Sequence, residues 1–260
     1  MSKVQQTTSN ITEAEQIDIP GGIINFLKKR NGTMTPAFKS RYWISDIVAC
    51  QRKTYYKELG IENEELLSAA TVEKMWDSVR GDLLHKITYA YKWREMDTEY
   101  NILLKDGRTA VLVGRLDMYD WRTKTVIDLK TTKFIKWQIK QGFLPKLEHI
   151  LQVQCYNTVF SNILPIDNLN IVYADTSDII AYKIQKRDLT EWIKRRIQDI
   201  EDSVFENKAP IGEVSGLCKY CRFQTKCYND RNGLTDKPLS RPKTSCNPTN
   251  DGVGLNTIGV

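Results

Sequence analysis

The sequence predicts an α/β fold. Two patterns carry that expectation. Apolar and polar residues alternate with period two in three neighbouring runs between Glu99 and Thr131 and in two more between Leu169 and Ile184, and helical spacing of three or four appears before, between and after these runs. A chain of 260 residues with 41% hydrophobic content can bury a substantial core, as one large domain or a domain with a small appendage.

Residues 1–36 are polar and broken by Pro20, Gly21, Gly22 and Gly32, which predicts a mobile arm around one short apolar segment, Ile23 to Leu27. Residues 37–98 are expected to form an N-terminal helical part. Ser45 is a suitable N-cap for a helix that runs through Leu59, carries Cys50 and stops at Gly60. After Thr71, the residues Val72, Met75, Trp76, Val79, Leu83, Ile87 and Tyr91 fall on one stripe of a second helix, which carries His85.

The core, expected over 99–206, opens with strands at Glu99 to Leu104, Ala110 to Asp120 and Thr125 to Thr131, the first pair joined by the turn signal Asp106-Gly107. A helix from Leu147 to Phe160 follows, then short strands at Leu169 to Ala174 and Ile179 to Ile184. Asp188, with Glu191 three residues on, reads as the capping box of a last long helix that puts Leu189, Trp192, Ile193, Ile197, Ile200 and Val204 on one face. Residues 207–230 carry a cysteine cluster, and 231–260, rich in turn formers, read as a flexible tail.

No apolar stretch approaches the roughly eighteen residues of a membrane span, and the N-terminus lacks the apolar block of a secretory signal. A cytoplasmic protein with no membrane partner is the expectation. The formal charge of +6 suits a polyanionic partner and ordinary solubility equally. Six cysteines in a reducing compartment point to metal ligation rather than disulfides.

The second and third strands read as an antiparallel hairpin with a two-residue turn at Arg122-Thr123, so that Trp121 faces Lys124 and Asp117 faces Asp128. Cβ atoms of such partners lie about 4.5–5.5 Å apart, where like charges destabilise a sheet unless something positive intervenes. Lys130 shares the face of Asp128, since side chains two apart in a strand point together. Two carboxylates at one position make a hard-cation site for magnesium or manganese, with Lys130 placed to orient water or offset charge on a phosphate. A solvent-facing hairpin screened by Lys130 is the plainer explanation of a lone D-x-K.

His85, one of two histidines, lies four residues after Gly81 and can supply an imidazole ligand. On the helix after the third strand, His149, Gln152 and Tyr156 share one polar face that suits a phosphate or an unpaired base. The run Cys218-x-x-Cys221 with Cys227 needs a fourth ligand, for which Cys50 is the best candidate. Zinc and an iron–sulfur cluster both fit that spacing. Cys155 reads as a small buried hydrophobe and Cys246 as a free thiol.

The order Cys50, Gly81-x-x-x-His85, Gly114-Arg115-Leu116-Asp117, Asp128-Leu129-Lys130, Gln152-x-x-x-Tyr156 and Cys218-x-x-Cys221 with Cys227 resembles the RecB-like nucleases of the PD-(D/E)xK superfamily. Within them it looks most like the CRISPR-associated exonuclease family that carries a cysteine cluster, over roughly Tyr42 to Tyr228. The resemblance implies a restriction-endonuclease-like core with a mixed central sheet, and a 4Fe-4S cluster on Cys50, Cys218, Cys221 and Cys227 that clamps the N- and C-terminal helical parts together. It further implies that His85, Asp117, Asp128 and the carbonyl of Leu129 bind Mn2+ or Mg2+, that Lys130 is the catalytic lysine, and that Gln152 and Tyr156 position DNA. Family members degrade single-stranded DNA from an end, commonly 5′ to 3′, and trim DNA alongside the CRISPR integrase. Asp128 is a departure, since many members carry glutamate there. The competing expectation is a catalytically weak DNA-binding or scaffold protein of nuclease ancestry in a CRISPR, viral or recombination complex.

Overall fold

The computed structural model describes Ile23, residues 40–61 and 69–215, Cys218 and residues 221–232, with 69–74 described as backbone only. The expected arm, most of the tail and Cys246 lie outside the described residues. The chain divides into two units, Met1–Met34 and Thr35–Val260, and everything below concerns the second.

Six strands form one mixed sheet: β1 (Arg41–Trp43), β2 (Trp93–Leu103), β3 (Thr109–Asp120), β4 (Thr125–Thr131), β5 (Asn168–Ala174) and β6 (Ile179–Ile184). β1/β3 and β4/β5 are parallel, while β2/β3, β3/β4 and β5/β6 are antiparallel. β1 was not legible as a strand because three residues are too few to show alternation. β2 begins at Trp93, so residues 93–98, expected to be part of the helical region, belong to the sheet.

β3 is the spine. β2 pairs with it from Thr109 to Tyr119, occupying one edge, so β1 (at Val111 to Val113) and β4 (at Met118 to Asp120) share the other. Among the described residues, the stretch Gly114 to Asp117 between them has no strand partner on that edge. The loop between β3 and β4 has four residues rather than the expected two: Asp120 accepts hydrogen bonds from the Arg122 N–H (2.9 Å) and the Thr123 hydroxyl (2.9 Å), and Lys124 takes a left-handed conformation (φ 48°). The register is nonetheless the expected one, with Met118 opposite Ile127 and Tyr119 opposite Val126.

The helix expected from Ser45 to Leu59 is two helices, α1 (Ile44–Ile47) and α2 (Gln51–Glu58), with Cys50 as the N-cap of the second. The break is stabilised from outside, since carbonyls left over there, those of Ile47 and Ala49, accept hydrogen bonds from the Arg196 guanidinium at 2.8 and 2.7 Å. The chain stops helically where expected, at Gly60 (φ 64°). α3 (Ala69–His85) continues into a 3₁₀ turn, Lys86–Ala90. Its apolar stripe is not wholly buried: Trp76 and Leu83 remain 54% and 56% exposed, and the helix instead meets β4 through Gly81, whose missing Cβ would stand 3.3 Å from Thr131 Oγ1.

α4 (Ile135–Lys140), unexpected from the sequence, precedes α5 (Leu147–Phe160), and the two complete the crossover between parallel β4 and β5. α6 (Thr190–Phe205) buries Ile193, Ile197 and Ile200. Its capping box is not formed. Asp188 accepts from the Thr190 N–H and hydroxyl at 2.9 and 2.6 Å, while Glu191 pairs with Lys194 at 2.8 Å. α7 (Gln224–Asn232) ends the described chain.

The main core gathers Leu112, Leu116, Tyr119, Val126, Phe160, Leu169 and Ile171 among others. A second cluster on the opposite side of β4 holds Met118, Ile127, Leu129 and Ala174. A third, of Tyr55, Tyr56 and Phe223, joins α2 to the C-terminal segment. Among the described residues, no helix is long and apolar enough to cross a membrane.

Candidate functional site

Asp117 lies where both neighbours of β3 let go. The β3/β4 ladder ends at Met118–Ile127, one pair short of Asp117 and Asp128, and the β2/β3 ladder skips the pair of Glu95 and Asp117 because Glu95 is left-handed (φ 48°). Alternation from Val126, in the main core, puts Asp128 on that core's side of the sheet, and Asp117 lines a cleft with Gln152 and Tyr156 of α5, which packs on the same side. The buried Tyr156 phenol, held well above its usual range mainly by burial, feels both carboxylates. The strands therefore diverge at the acidic pair. Asp117 Oδ2 accepts a hydrogen bond from the Leu129 N–H at 2.8 Å, replacing a ladder contact.

Asp128 is fully buried at 0% exposure. Lys130 Nζ lies 3.0 Å from both of its oxygens, but with hydrogen-bond geometry only toward Oδ1; Oδ2 is buried and has no hydrogen-bond partner among the described residues. Burial pushes the Asp128 carboxyl up to about 6; Lys130 opposes that shift, Asp117 adds to it, and His85, half-buried at the end of α3, opposes it weakly. A buried carboxylate oxygen without a donor is what a hard cation satisfies, and two carboxylates flanked by an imidazole are a fitting donor set. Among the described residues, no three His, Cys, Asp or Glu side chains close around a single point. His85, Asp117 and Asp128 thus share a neighbourhood rather than a finished coordination shell.

A cleft of about 350 Å³ opens beside Asp117, lined by Trp43, Ser45, Arg115, Gln152 and Tyr156 with Ile44 and Val113. Gln152 Nε2 donates to the Tyr156 hydroxyl at 2.8 Å, and the Tyr156 ring is buried edge-on against Phe160 at 6.1 Å. That burial leaves Tyr156 a hydroxyl to offer but no open face for stacking. His149, on the same polar stripe, is spent elsewhere: its Nδ1 is 2.8 Å from the Tyr173 hydroxyl, and burial pushes its imidazole down to about 3. The sequence assigned no site role to Trp43, to Ser45, read there only as a helix N-cap, or to Arg115, named only as part of the Gly114-Arg115-Leu116-Asp117 motif. Arg115 was legible, because Val113, Arg115 and Asp117 alternate onto one face. It forms a bidentate pair with Asp97 (2.6 and 2.8 Å) and stacks over Trp43 at 5.4 Å.

Cys50, from the first helices, lies near Cys218 and Cys221 of the C-terminal segment, but among the described residues no three cysteines close around a single point. Cys50 Sγ accepts the Glu213 N–H at 3.3 Å and Cys218 Sγ accepts the Ser215 N–H at 3.4 Å. Burial raises the Cys221 thiol, with Cys218 and Cys50 near enough to add to the shift. Cys227 packs beside Cys221 on the Tyr55, Tyr56 and Phe223 cluster, with Arg52 Nη1 3.9 Å from its sulfur. Protein groups alone already tie these parts together: Arg196 makes a bidentate pair with Glu213 (2.6 and 2.7 Å), and Arg52 and Arg231 donate to the carbonyls of Pro210 and Gly212. Cys155 is buried, as expected.

The family model of the PD-(D/E)XK nuclease superfamily matches residues 44–228, which include every residue singled out above except Trp43 and Arg231. No curated protein sequence matches the chain. Among solved structures, one titled "Crystal structure of SSO0001" is 20% identical, covers 80% of this chain and 95% of its own, and superposes with a TM-score of 0.57, a likeness of fold. A phage-related exonuclease from Haemophilus somnus 129PT is 16% identical over 60% of this chain and 81% of its own, with a TM-score of 0.38.

Proposed function

The chain belongs to the PD-(D/E)XK nuclease superfamily, and within it we propose a metal-dependent exonuclease of the RecB-like, CRISPR-associated iron–sulfur kind, acting on single-stranded DNA with 5′ to 3′ polarity. The observation that carries the reading is the buried Asp128 Oδ2, without a hydrogen-bond partner among the described residues, one residue pair past the point where β3 and β4 separate.

Asp117, Asp128, His85 and the Leu129 carbonyl would hold a magnesium or manganese ion. Such an ion polarises a phosphoryl oxygen and lowers the pKa of coordinated water. Lys130 keeps its ammonium at the carboxylates, 3.0 Å from Asp128, where it orients the attacking water and offsets charge developing on the phosphate. Gln152 and the Tyr156 hydroxyl, facing the cleft beside Asp117, hold the phosphate of the strand being cut.

Cys50, Cys218, Cys221 and Cys227 would carry the 4Fe-4S cluster. Their fit rests on the sulfurs of Cys50 and Cys218 accepting backbone N–H groups, an environment that favours thiolate ligands. The cluster's role is structural, reinforcing the Arg196–Glu213 tie between the first helices and the C-terminal segment. A CRISPR integrase is the partner this reading implies.

The test is cleavage of end-labelled single-stranded DNA by purified protein with manganese or magnesium. Shortening from the 5′ end, abolished in both Asp117→Ala and Lys130→Ala, is expected; full activity in either variant would remove the assigned site.

A further inference from the structure

We propose that the connection between β4 and α5, residues 132–146, is a stacking platform that guides single-stranded DNA to the carboxylate site; this rests on the reading of the chain as a nuclease acting on single strands. The segment carries three aromatic rings that the fold does not bury. Phe134 is 74% exposed, Trp137 55% and Phe143 41%. Single exposed apolar residues are ordinary, but three rings within ten residues form a patch. Four lysines, Lys133, Lys136, Lys140 and Lys146, interleave with them, and no carboxylate occurs between Thr131 and Leu147.

The rings are held in place. Trp137 and Phe143 meet edge to face with centroids 5.4 Å apart. Ile135, buried at 2%, anchors α4 to the core and leaves Trp137, two residues on, to face outward. Gln138 Nε2 donates to Thr132 Oγ1 and the Lys133 carbonyl, both at 2.6 Å, fixing the helix to the end of β4 two residues past Lys130. Phe134 has left-handed backbone (φ 57°, ψ 52°), an unfavourable state for a bulky side chain. The next amide offsets that strain by donating to Asp175 Oδ2 at 3.0 Å. A strained residue that presents an aromatic ring to solvent is costly to fold and of no use to the core, which points to use in binding.

The occupant follows from the chemistry. Aromatic faces with interspersed cations bind unpaired bases and their phosphates without sequence preference. Lys136, 83% exposed, pairs with Asp178 at 2.8 Å in a contact that a phosphate can replace, Lys140 is exposed, and Lys133, half-buried, pairs with Asp77 at 3.0 Å. Lys130, just before the segment, and Lys146, at its far end, both act on the buried His149 imidazole, so the two ends of the segment lie near each other and a strand lying on it is led toward Lys130 and Asp128. Tyr156, with its ring buried, cannot supply the stacking.

The test uses the full chain in EDTA, with binding of a labelled oligothymidylate followed by fluorescence anisotropy. Trp137→Ala and Phe143→Ala should each weaken binding about tenfold, Lys140→Glu should flatten its salt dependence, and melting temperatures should not change. Hydrolysis of bis(p-nitrophenyl) phosphate with manganese, which needs the metal site alone, should be unaffected by Trp137→Ala and lost in Asp117→Ala. Unchanged oligothymidylate affinity in the Trp137→Ala, Phe143→Ala double variant overturns the platform, even if the wild type cleaves DNA. Trp137-dependent binding without any hydrolysis keeps the platform and removes the nuclease. A changed oligomeric state in Trp137→Ala with DNA affinity intact assigns the patch to a second copy of the chain and overturns the proposal.

Discussion

Replacing Gly114 by alanine tests how tightly the site is built. A Cβ there would stand 2.8 Å from Phe160 Cε2 and 3.1 Å from Ile44 Cδ1, where carbon atoms ordinarily pack at about 3.5–4.0 Å. Neither neighbour can retreat, because Phe160 is fully buried on α5 and Ile44 is 2% exposed on α1. Overpacking of this kind costs about 1–3 kcal/mol, and alanine's advantage over glycine in a strand returns about 0.5–1 kcal/mol. A contact below 3.0 Å sets the cost at the upper end of that range, and the net loss of about 2–2.5 kcal/mol lowers the melting temperature by about 4–10 °C at this chain length. Thermal denaturation followed by circular dichroism reads it, with Gly114→Ala, Phe160→Leu as the control that restores room and recovers part of the loss. Since Ile44 also walls the cleft beside Asp117, KM for DNA should rise in the single variant. A wild-type melting temperature for Gly114→Ala would refute the close approach of β3 to α5 and α1.

Lys130→Met leaves the fully buried Asp128 without its ion-pair partner and should cost about 3–5 kcal/mol in metal-free protein by urea denaturation, with Asp128→Asn added to it restoring much of that. His149 tests the acid limb of stability. Its folded pKa, near 3, lies below the ordinary value of about 6.5, so between those limits the unfolded chain binds a proton the folded one refuses. Stability from this group is therefore complete above about pH 6.5 and falls by about 1.4 kcal/mol per pH unit on acidification. His149→Gln should show a shallower fall in urea midpoint between pH 6 and 4.5, and an unchanged slope would count against it. Arg196→Ala removes the tie from α6 to Ile47, Ala49 and Glu213, and should cost about 1–3 kcal/mol, discounted for the exposure of Glu213. The proposed 4Fe-4S cluster predicts brown, iron-containing wild-type protein and loss of colour and iron together in Cys50→Ala, measured by absorbance and metal analysis; full retention of iron would assign the fourth ligand elsewhere.

Much of the architecture was legible because the elements that matter are periodic. α5 has the bounds that its apolar spacing suggested, and β3 and β4 carry enough alternation to fix their register even though the connecting loop is two residues longer than expected. What was not legible depends on distant partners. The break between α1 and α2 is capped by Arg196, some 150 residues away in sequence, and no local signal near Ser45 announces it. α4 is a short helix begun by a left-handed Phe134 and anchored by Asp175 on another strand end, neither of which propensity reveals. At the site, the acidic pair and Lys130 were readable from register, but the release of Asp117 by β2 depends on the left-handed Glu95. Trp43 and Ser45 reach the cleft only through folding.

The central claim is that Asp117 and Asp128 form a cation site, and electron paramagnetic resonance of Mn2+ added to the full chain tests it most directly. Binding should deplete the signal of free aqueous Mn2+ in wild-type protein, and Asp117→Ala and Asp128→Ala should leave that signal in full while remaining folded by circular dichroism. Undiminished Mn2+ uptake by both variants would contradict the claim.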